Sequence, residues 1–143
     1  MHYKYLVLPL LFALYASPSI AIAQPVPLKL SLNSKAQIED YAISRAIFHN
    51  VSVMQTVAII QAESSFNPNA KNDSSTASGL AQFINGTFKW ACISIYGLTD
   101  SMEYKNDPHI QIECLTLMLR DKRDSHWDAS SHVWKKSLPS IAD

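Results

Sequence analysis

Two neighbouring segments decide the fold: residues 58–70, which read AIIQAESSFNPNA, and residues 78–83, which read SGLAQF. Leading into the first segment, apolar residues recur at helical spacing as far as Glu63. Asn67-Pro68 stops the pattern, because the residue before a proline disfavours helical backbone geometry. These signals predict a helix over Val53–Ser64 that carries a carboxylate in its last turn.

Capping signals predict further helices on both sides. A serine followed three residues later by a glutamine marks a helix start at Ser34 and again at Ser52. Asp107 before Pro108 marks another start, and Gly97 marks a helix end. Residues 67–79 are polar and read as a loop, and no alternating strand pattern of useful length is present. We therefore predict a mostly α fold with helices over Lys35–His49, Val53–Ser64, Thr87–Tyr96 and from Pro108 onwards.

Glu63 is a candidate for acid–base chemistry. A carboxylate at a helix C-terminus is disfavoured by the helix dipole, and partial burial beside apolar side chains would raise its pKa further. A carboxyl group of raised pKa suits a general acid at neutral pH. The alternative is an ordinary solvated glutamate at a helix end, which periodicity alone would favour.

The two segments together resemble the soluble lytic transglycosylase (SLT) family, which has a lysozyme-like fold and cleaves bacterial peptidoglycan. The family's hallmark is a helix ending in Glu-Ser-x-Phe, then a loop, then Gly-Leu-Met-Gln. Here the motifs read ESSF at residues 63–66 and GLAQ at residues 79–82, with Ala81 where methionine is usual. The resemblance extends over about residues 38–122 and implies a helical, lysozyme-like domain with a substrate groove.

The resemblance also implies roles for single residues. Glu63 matches the catalytic acid/base, and Ser64 matches the residue that supports it by hydrogen bonding. Gln82 would line the substrate groove, and Gly79 would allow close backbone approach to the sugar. We expect Phe66 to belong to the core instead of contacting substrate.

Besides Ala81, the sequence departs from the family pattern in two places. A later helix usually begins with an Asn-Ile pair, and here that pair is Gln111-Ile112. The family often ends in a Tyr-Asn-x-Gly motif, which residues 123–143 lack. The tail holds Trp127, His132 and Trp134 instead, which could stack on sugars or cap the core; for Trp134 we favour the core.

Two other functions stay open at this point. A lysozyme-type muramidase would use water as nucleophile and would need a second carboxylate or a well-placed water, and Asp73 is the best candidate by position. A non-catalytic peptidoglycan-binding protein could keep the same fold. We expect neither a metal nor a cofactor, because His126 and His132 have no ligand partners at convincing spacing.

Residues 1–23 are typical of an export signal. Lys4 precedes an apolar run, and the small-x-small pattern Ala21-Ile22-Ala23 follows it. The run is shorter than the roughly 20 residues that span a bilayer, so we favour a cleaved signal over a membrane anchor. We expect cleavage after Ala23, an extended lead-in over residues 24–33 and the lysozyme-like domain over residues 34–143.

Composition limits the partners. The 143 residues carry 12 Lys+Arg and 12 Asp+Glu, a balance that argues against a nucleic-acid binder. With 48% hydrophobic residues the chain is too apolar for a disordered protein. We expect a periplasmic or secreted protein acting on peptidoglycan strands. Small members of the similar family often open the wall for a secretion or conjugation apparatus, so such a complex is a candidate partner.

Export changes how the two cysteines are interpreted. An oxidising compartment favours a disulfide between Cys92 and Cys114, whose spacing fits no metal motif. Each cysteine falls on a predicted helix, so a bond between neighbouring helices is feasible. Two buried free thiols are the alternative.

Overall fold

A computed structural model describes residues 31–138. The predicted export signal, most of the lead-in and residues 139–143 lie outside the described residues. Within residues 31–138 the chain is mostly helical, and pairing of strand type is limited to isolated bridges between residues 71 and 83. The predicted mostly α fold class is therefore confirmed. None of the helices in this part of the chain is both long and apolar enough to cross a membrane.

The first two helices begin at their capping signals. Helix α1, Lys35–Phe48, follows Ser34, whose side chain accepts from the backbone N–H of Gln37 while the Gln37 side chain accepts from the Ser34 N–H. This reciprocal pair is the predicted capping box. Helix α2, Val53–Ser64, has its predicted bounds. Helix α1 ends one residue earlier than predicted, because His49 is its cap.

The helix predicted over Thr87–Tyr96 is present but wound differently. One turn, α3, covers Asn85–Thr87, and a π-helix continues over Phe88–Ile95. The Ser94 hydroxyl suits this wider winding, because it donates to the carbonyl five residues earlier at 2.9 Å. Gly97 follows the helix at φ +58°, the left-handed geometry expected of a terminating glycine.

Helix α4, Pro108–Arg120, forms the centre of the core. Asp107 caps it as predicted, accepting from the N–H groups of His109 at 2.8 Å and Ile110 at 3.2 Å. Proline at the first helical position costs no hydrogen bond there. Helix α1 packs against both α2 and α4. The fully buried apolar residues of α4 are Ile112, Cys114, Leu115 and Met118.

An ion cluster joins α1 to α4. Arg45 donates from Nε and Nη2 to the two carboxylate oxygens of Glu113, at 2.5 and 2.7 Å, and His49 Nε2 lies 2.7 Å from Oε1 of the same carboxylate. Burial alone would raise the pKa of Glu113, but the bonds and charges of Arg45 and His49 more than offset it. The pKa of Glu113 therefore lies below its ordinary value.

A disulfide joins the π-helix to α4. Cys92 and Cys114 are both fully buried, with their Cα atoms 5.4 Å apart. The bond closes the segment that carries a short 3₁₀ turn, Met102–Asn106, between the two helices.

The tail folds back onto α2. A 3₁₀ segment, Asp124–Ser130, leads into the short helix α5, Ser131–Trp134. Trp127 and Trp134 are 4% and 1% exposed, so both belong to the core, as expected for Trp134. Sequence periodicity did not predict these tail turns, because they are too short to show a repeat.

Candidate active site

Glu63 lies where the backbone changes direction sharply. It is half-buried in the last turn of α2, and the first two residues after that helix, Ser65 and Phe66, both adopt left-handed geometry with φ of 52° and 65°. Such geometry costs a non-glycine residue roughly 1–3 kcal/mol and persists only where the surroundings enforce it. Phe66 is only 4% exposed, so burial of its ring holds the turn, in accord with its expected place in the core.

Ser130 supplies the hydrogen bond to the carboxyl group. Its Oγ donates to Oε1 of Glu63 across 67 residues of sequence. Ser64, the support implied by the family resemblance, donates instead to the carbonyl of Ile60, four residues back in its own helix, at 3.1 Å. Sequence reasoning missed Ser130, because no spacing rule links a tail serine with the end of α2.

The surroundings of Glu63 raise its pKa. Burial is the larger influence and raises it, while the hydrogen bond from Ser130 lowers it in part. The net pKa lies above the ordinary value of 4.5. No carboxylate of the described residues is among the groups that shift it. A raised pKa favours the neutral form of the carboxyl group, which is the form that a general acid needs.

Two tryptophans fix the position of Ser130. The indole Nε1 of Trp127 donates to the Ala81 carbonyl at 2.9 Å, which ties the tail to the GLAQ segment. The indole Nε1 of Trp134 donates to the Trp127 carbonyl at 3.0 Å. Both bonds are buried, so the backbone that carries Ser130 is held from two sides.

Gly79 packs against the protein's own side chain. It has φ +80°, and a Cβ built on it would lie 2.0 Å from Nε2 of Gln111. Gln111 is fully buried and satisfies three backbone groups: it donates to the carbonyls of Ser78 at 2.9 Å and Lys105 at 2.6 Å and accepts from Ala81 N–H at 2.8 Å. Gln111 thereby orders the loop before the GLAQ segment, and the predicted contact of Gly79 with sugar stays a prediction.

Gln82 lies partly exposed at the end of the same loop. Its backbone is left-handed, with φ 50°, and its amide donates to the Gly79 carbonyl at 2.9 Å and more weakly to Ala70 at 3.3 Å. It lines a cavity of about 150 Å³ together with His126 and Trp127. This cavity adjoins the tail segment that carries Ser130, and the role of Gln82 as a groove residue stays a prediction.

None of the other sequence candidates is among the groups that shift the pKa of Glu63. Asp73, proposed as a second carboxylate for a muramidase, is exposed in the polar loop. His126 stacks near Trp90 with ring centroids 5.6 Å apart, and His132 is exposed. Within residues 31–138, no group of three or more His, Cys, Asp or Glu side chains is placed to hold a metal ion.

Comparison with known proteins identifies the family. The family model described as the transglycosylase SLT domain matches residues 40–132, nearly two thirds of the chain. The match includes Glu63, the GLAQ segment and Ser130. Searches of curated proteins and of solved structures found no match. The sequence motifs, the helical architecture and this match agree, and the chain belongs to the transglycosylase SLT domain family.

Proposed function

We propose that this protein is a peptidoglycan lytic transglycosylase with Glu63 as its catalytic acid and base. The observation that carries the proposal is the half-buried carboxyl group of Glu63, of raised pKa and hydrogen-bonded by Ser130, within the matched SLT domain. Family membership supports peptidoglycan as the substrate, since SLT domains act on it. The bond cleaved would be the β-1,4 link between N-acetylmuramic acid and N-acetylglucosamine.

One carboxyl group can serve both halves of the proposed reaction. Neutral Glu63 would protonate the glycosidic oxygen, and the glucosamine side would leave with that proton. Ionised Glu63 would then take the proton of the muramyl 6-hydroxyl as its oxygen attacks the anomeric carbon. The product is a 1,6-anhydro sugar without uptake of water. The substrate's acetamido group would stabilise the positive charge, an arrangement known among glycosidases that lack the usual carboxylate pair.

The substrate groove is proposed to run past the 150 Å³ cavity lined by Gln82 and Trp127. Gln82 offers polar contacts, and Trp127 connects the cavity wall to Ser130, three residues further along the chain. Gly79 would let the backbone approach the sugar, and Ser64 would order the end of α2. A lysozyme-type muramidase is less well supported, because the exposed Asp73 is not among the groups that shift the pKa of Glu63.

Product analysis tests the proposal. Purified sacculi are digested with the mature protein and with Glu63→Gln, and the soluble muropeptides are identified by mass spectrometry. The expected result is anhydro-muramyl ends with wild type and a loss of at least about 1,000-fold with Glu63→Gln, since that variant cannot donate a proton. Glu103→Gln, an exposed residue of the 3₁₀ turn, is the matched control and should keep activity. Reducing ends would indicate a muramidase, and turnover by Glu63→Gln would favour a binding protein with a contaminating activity.

We also propose that the protein is exported and opens the wall locally for an envelope-spanning secretion or conjugation apparatus. The export signal read in residues 1–23 and the small size of the domain support this role. N-terminal sequencing of the periplasmic form should begin at Gln24. Deleting the protein should reduce assembly of such an apparatus, and unchanged assembly of every such machine in the host would count against it.

A further inference from the structure

Ser130 presents a single hydroxyl proton to two acceptors. Its Oγ contacts Oε1 of Glu63 and lies 3.1 Å from the backbone carbonyl of Trp127. A serine hydroxyl has one proton, so it donates to one of these oxygens at a time. The Trp127 carbonyl already accepts from the Trp134 indole at 3.0 Å, whereas a carboxylate is the stronger acceptor. While Glu63 is ionised, the proton of Ser130 is therefore directed to its carboxylate.

The donor is held in place independently of Glu63. Trp127 is fixed by its bond to the Ala81 carbonyl, and Trp134 is fixed by burial in the core. Ser130 lies between these two residues in sequence, so its backbone has little freedom. A donor held this way meets the carboxyl group at a set position whether or not substrate is bound.

We propose that Ser130 is a positioning residue for Glu63: its hydroxyl holds Oε1, so that Oε2 is the oxygen that gives up and regains the proton. The inference rests on the proposed function and names the atom that performs it. When Glu63 is neutral, Oε1 is the carbonyl-like oxygen and accepts from Ser130 while the proton resides on Oε2. After that proton has moved to the glycosidic oxygen, Oε1 keeps the same bond and Oε2 is free to take the proton of the muramyl hydroxyl.

Ser130 also favours one protonation state. A hydrogen bond to an ionised carboxylate is stronger than one to a neutral acid. Ser130 therefore opposes the effect of burial, which on its own would raise the pKa of Glu63 further. Because Glu63 has to act as a base in the second half of the reaction, the serine matters most for that half.

Ser130→Ala tests the inference through the sign of a pKa change. The variant and wild type are assayed on a defined soluble peptidoglycan fragment between pH 4 and 9, and the Glu63 carboxyl is titrated by ¹³C NMR. We expect kcat at neutral pH to fall roughly tenfold with little change in KM, as for loss of one hydrogen bond to a charged group. We expect the pKa of Glu63 and the alkaline limb of the pH profile to move upward. Ser130→Thr, which keeps the hydroxyl, should restore both.

Ser125→Ala is the matched control, because Ser125 is an exposed serine of the same 3₁₀ segment. Ser130→Cys keeps the size of the side chain but donates weakly, so it gives the same readout if the alanine variant does not fold. An unchanged pH profile in folded Ser130→Ala or Ser130→Cys would overturn the inference. So would a fall in the pKa of Glu63, because it would mean that Ser130 only excludes water. Activity of Glu63→Gln would instead overturn the proposed function.

Discussion

Gln111 occupies the space that a side chain on Gly79 would need. Its Nε2 lies 2.0 Å from the position of a Cβ on that glycine, and its amide satisfies backbone groups of the loop. Gly79 opens the GLAQ segment, to which the tail tryptophan Trp127 is also bonded through the Ala81 carbonyl. The order of the candidate site therefore depends on this buried contact between α4 and the loop.

Gly79→Ala should be strongly destabilising. The added methyl group would displace buried Gln111, and the φ of +80° is unfavourable for alanine. Together these effects should lower the free energy of unfolding by about 3 kcal/mol or more, measured by urea denaturation. Gly97→Ala has the backbone cost alone, since no atom lies within 4 Å of a Cβ built on Gly97. It should lower the free energy of unfolding by about 1 kcal/mol. Gly86→Ala should change little, and equal losses in all three variants would contradict the packing argument.

Ser65→Gly should stabilise the protein. Ser65 is exposed and left-handed at φ 52°, a conformation that glycine adopts without strain. We expect a gain of about 0.5–1 kcal/mol in the free energy of unfolding, because this position is the C-cap of α2. Ser64 lies one residue earlier and is helical. Ser64→Gly should therefore lower the free energy of unfolding by about 1 kcal/mol. A lower free energy of unfolding in Ser65→Gly would show that the serine side chain stabilises the fold by more than its strained backbone costs.

Glu63→Gln should make the protein more stable at neutral pH. The folded-state pKa of Glu63 lies above its unfolded value, so stability from this group is full below about pH 4.5 and is lost as pH rises through the folded pKa. The neutral amide removes that loss. We expect a gain at pH 7 of less than about 2 kcal/mol and none at pH 4, measured by urea denaturation at both pH values. Equal effects at both pH values would contradict the assignment of a raised pKa.

Glu113→Gln should have the opposite pH dependence. The folded-state pKa of Glu113 is depressed, so its stabilisation is present above about pH 4.5 and is lost as pH falls through the lower folded pKa. We expect the variant to be about 2 kcal/mol less stable than wild type at pH 7, because Arg45 and His49 lose a charged partner. The difference should shrink at pH 3. The exposed Glu103→Gln is the control and should show little change at either pH.

Removal of the disulfide should weaken the fold without abolishing its helices. Cys92 and Cys114 close a loop with a separation of 22 residues, which corresponds to about 3 kcal/mol in the chain-entropy description. The Cys92→Ala/Cys114→Ala double variant should have a free energy of unfolding lower by that amount, measured by urea denaturation. Its far-UV circular dichroism should be unchanged. Labelling of the unreduced, denatured wild type should find no free thiol. Two labelled thiols would contradict the bond.

The sequence predicted elements that local signals determine. The capping box at Ser34 and the N-cap at Asp107 predicted helix starts that the structure confirms, because these interactions lie within one turn. The π winding after α3 was not predicted, since its apolar residues match an ordinary helix about as well. Motif spacing also drew attention to Glu63 before its surroundings were known.

The partners of Glu63 could not be predicted in the same way. Ser130 reaches the carboxyl group from 67 residues away, and no local rule describes such a contact. Gln111 was noted only as a departure from the family pair, yet its longer side chain bridges α4 to three backbone groups. Both residues act through tertiary packing, which periodicity and capping rules do not contain.

The distance in sequence between Glu63 and Ser130 has a consequence for the order of folding. Helix α2 can form from local interactions, but the acid acquires its surroundings only when the tail has docked across the core. A chain with α2 formed and the tail undocked carries a hydrated Glu63 of ordinary pKa, which is ionised at neutral pH and cannot donate a proton. The proposed cleavage of peptidoglycan would then be the last property to emerge during folding, and would report completion of the whole domain.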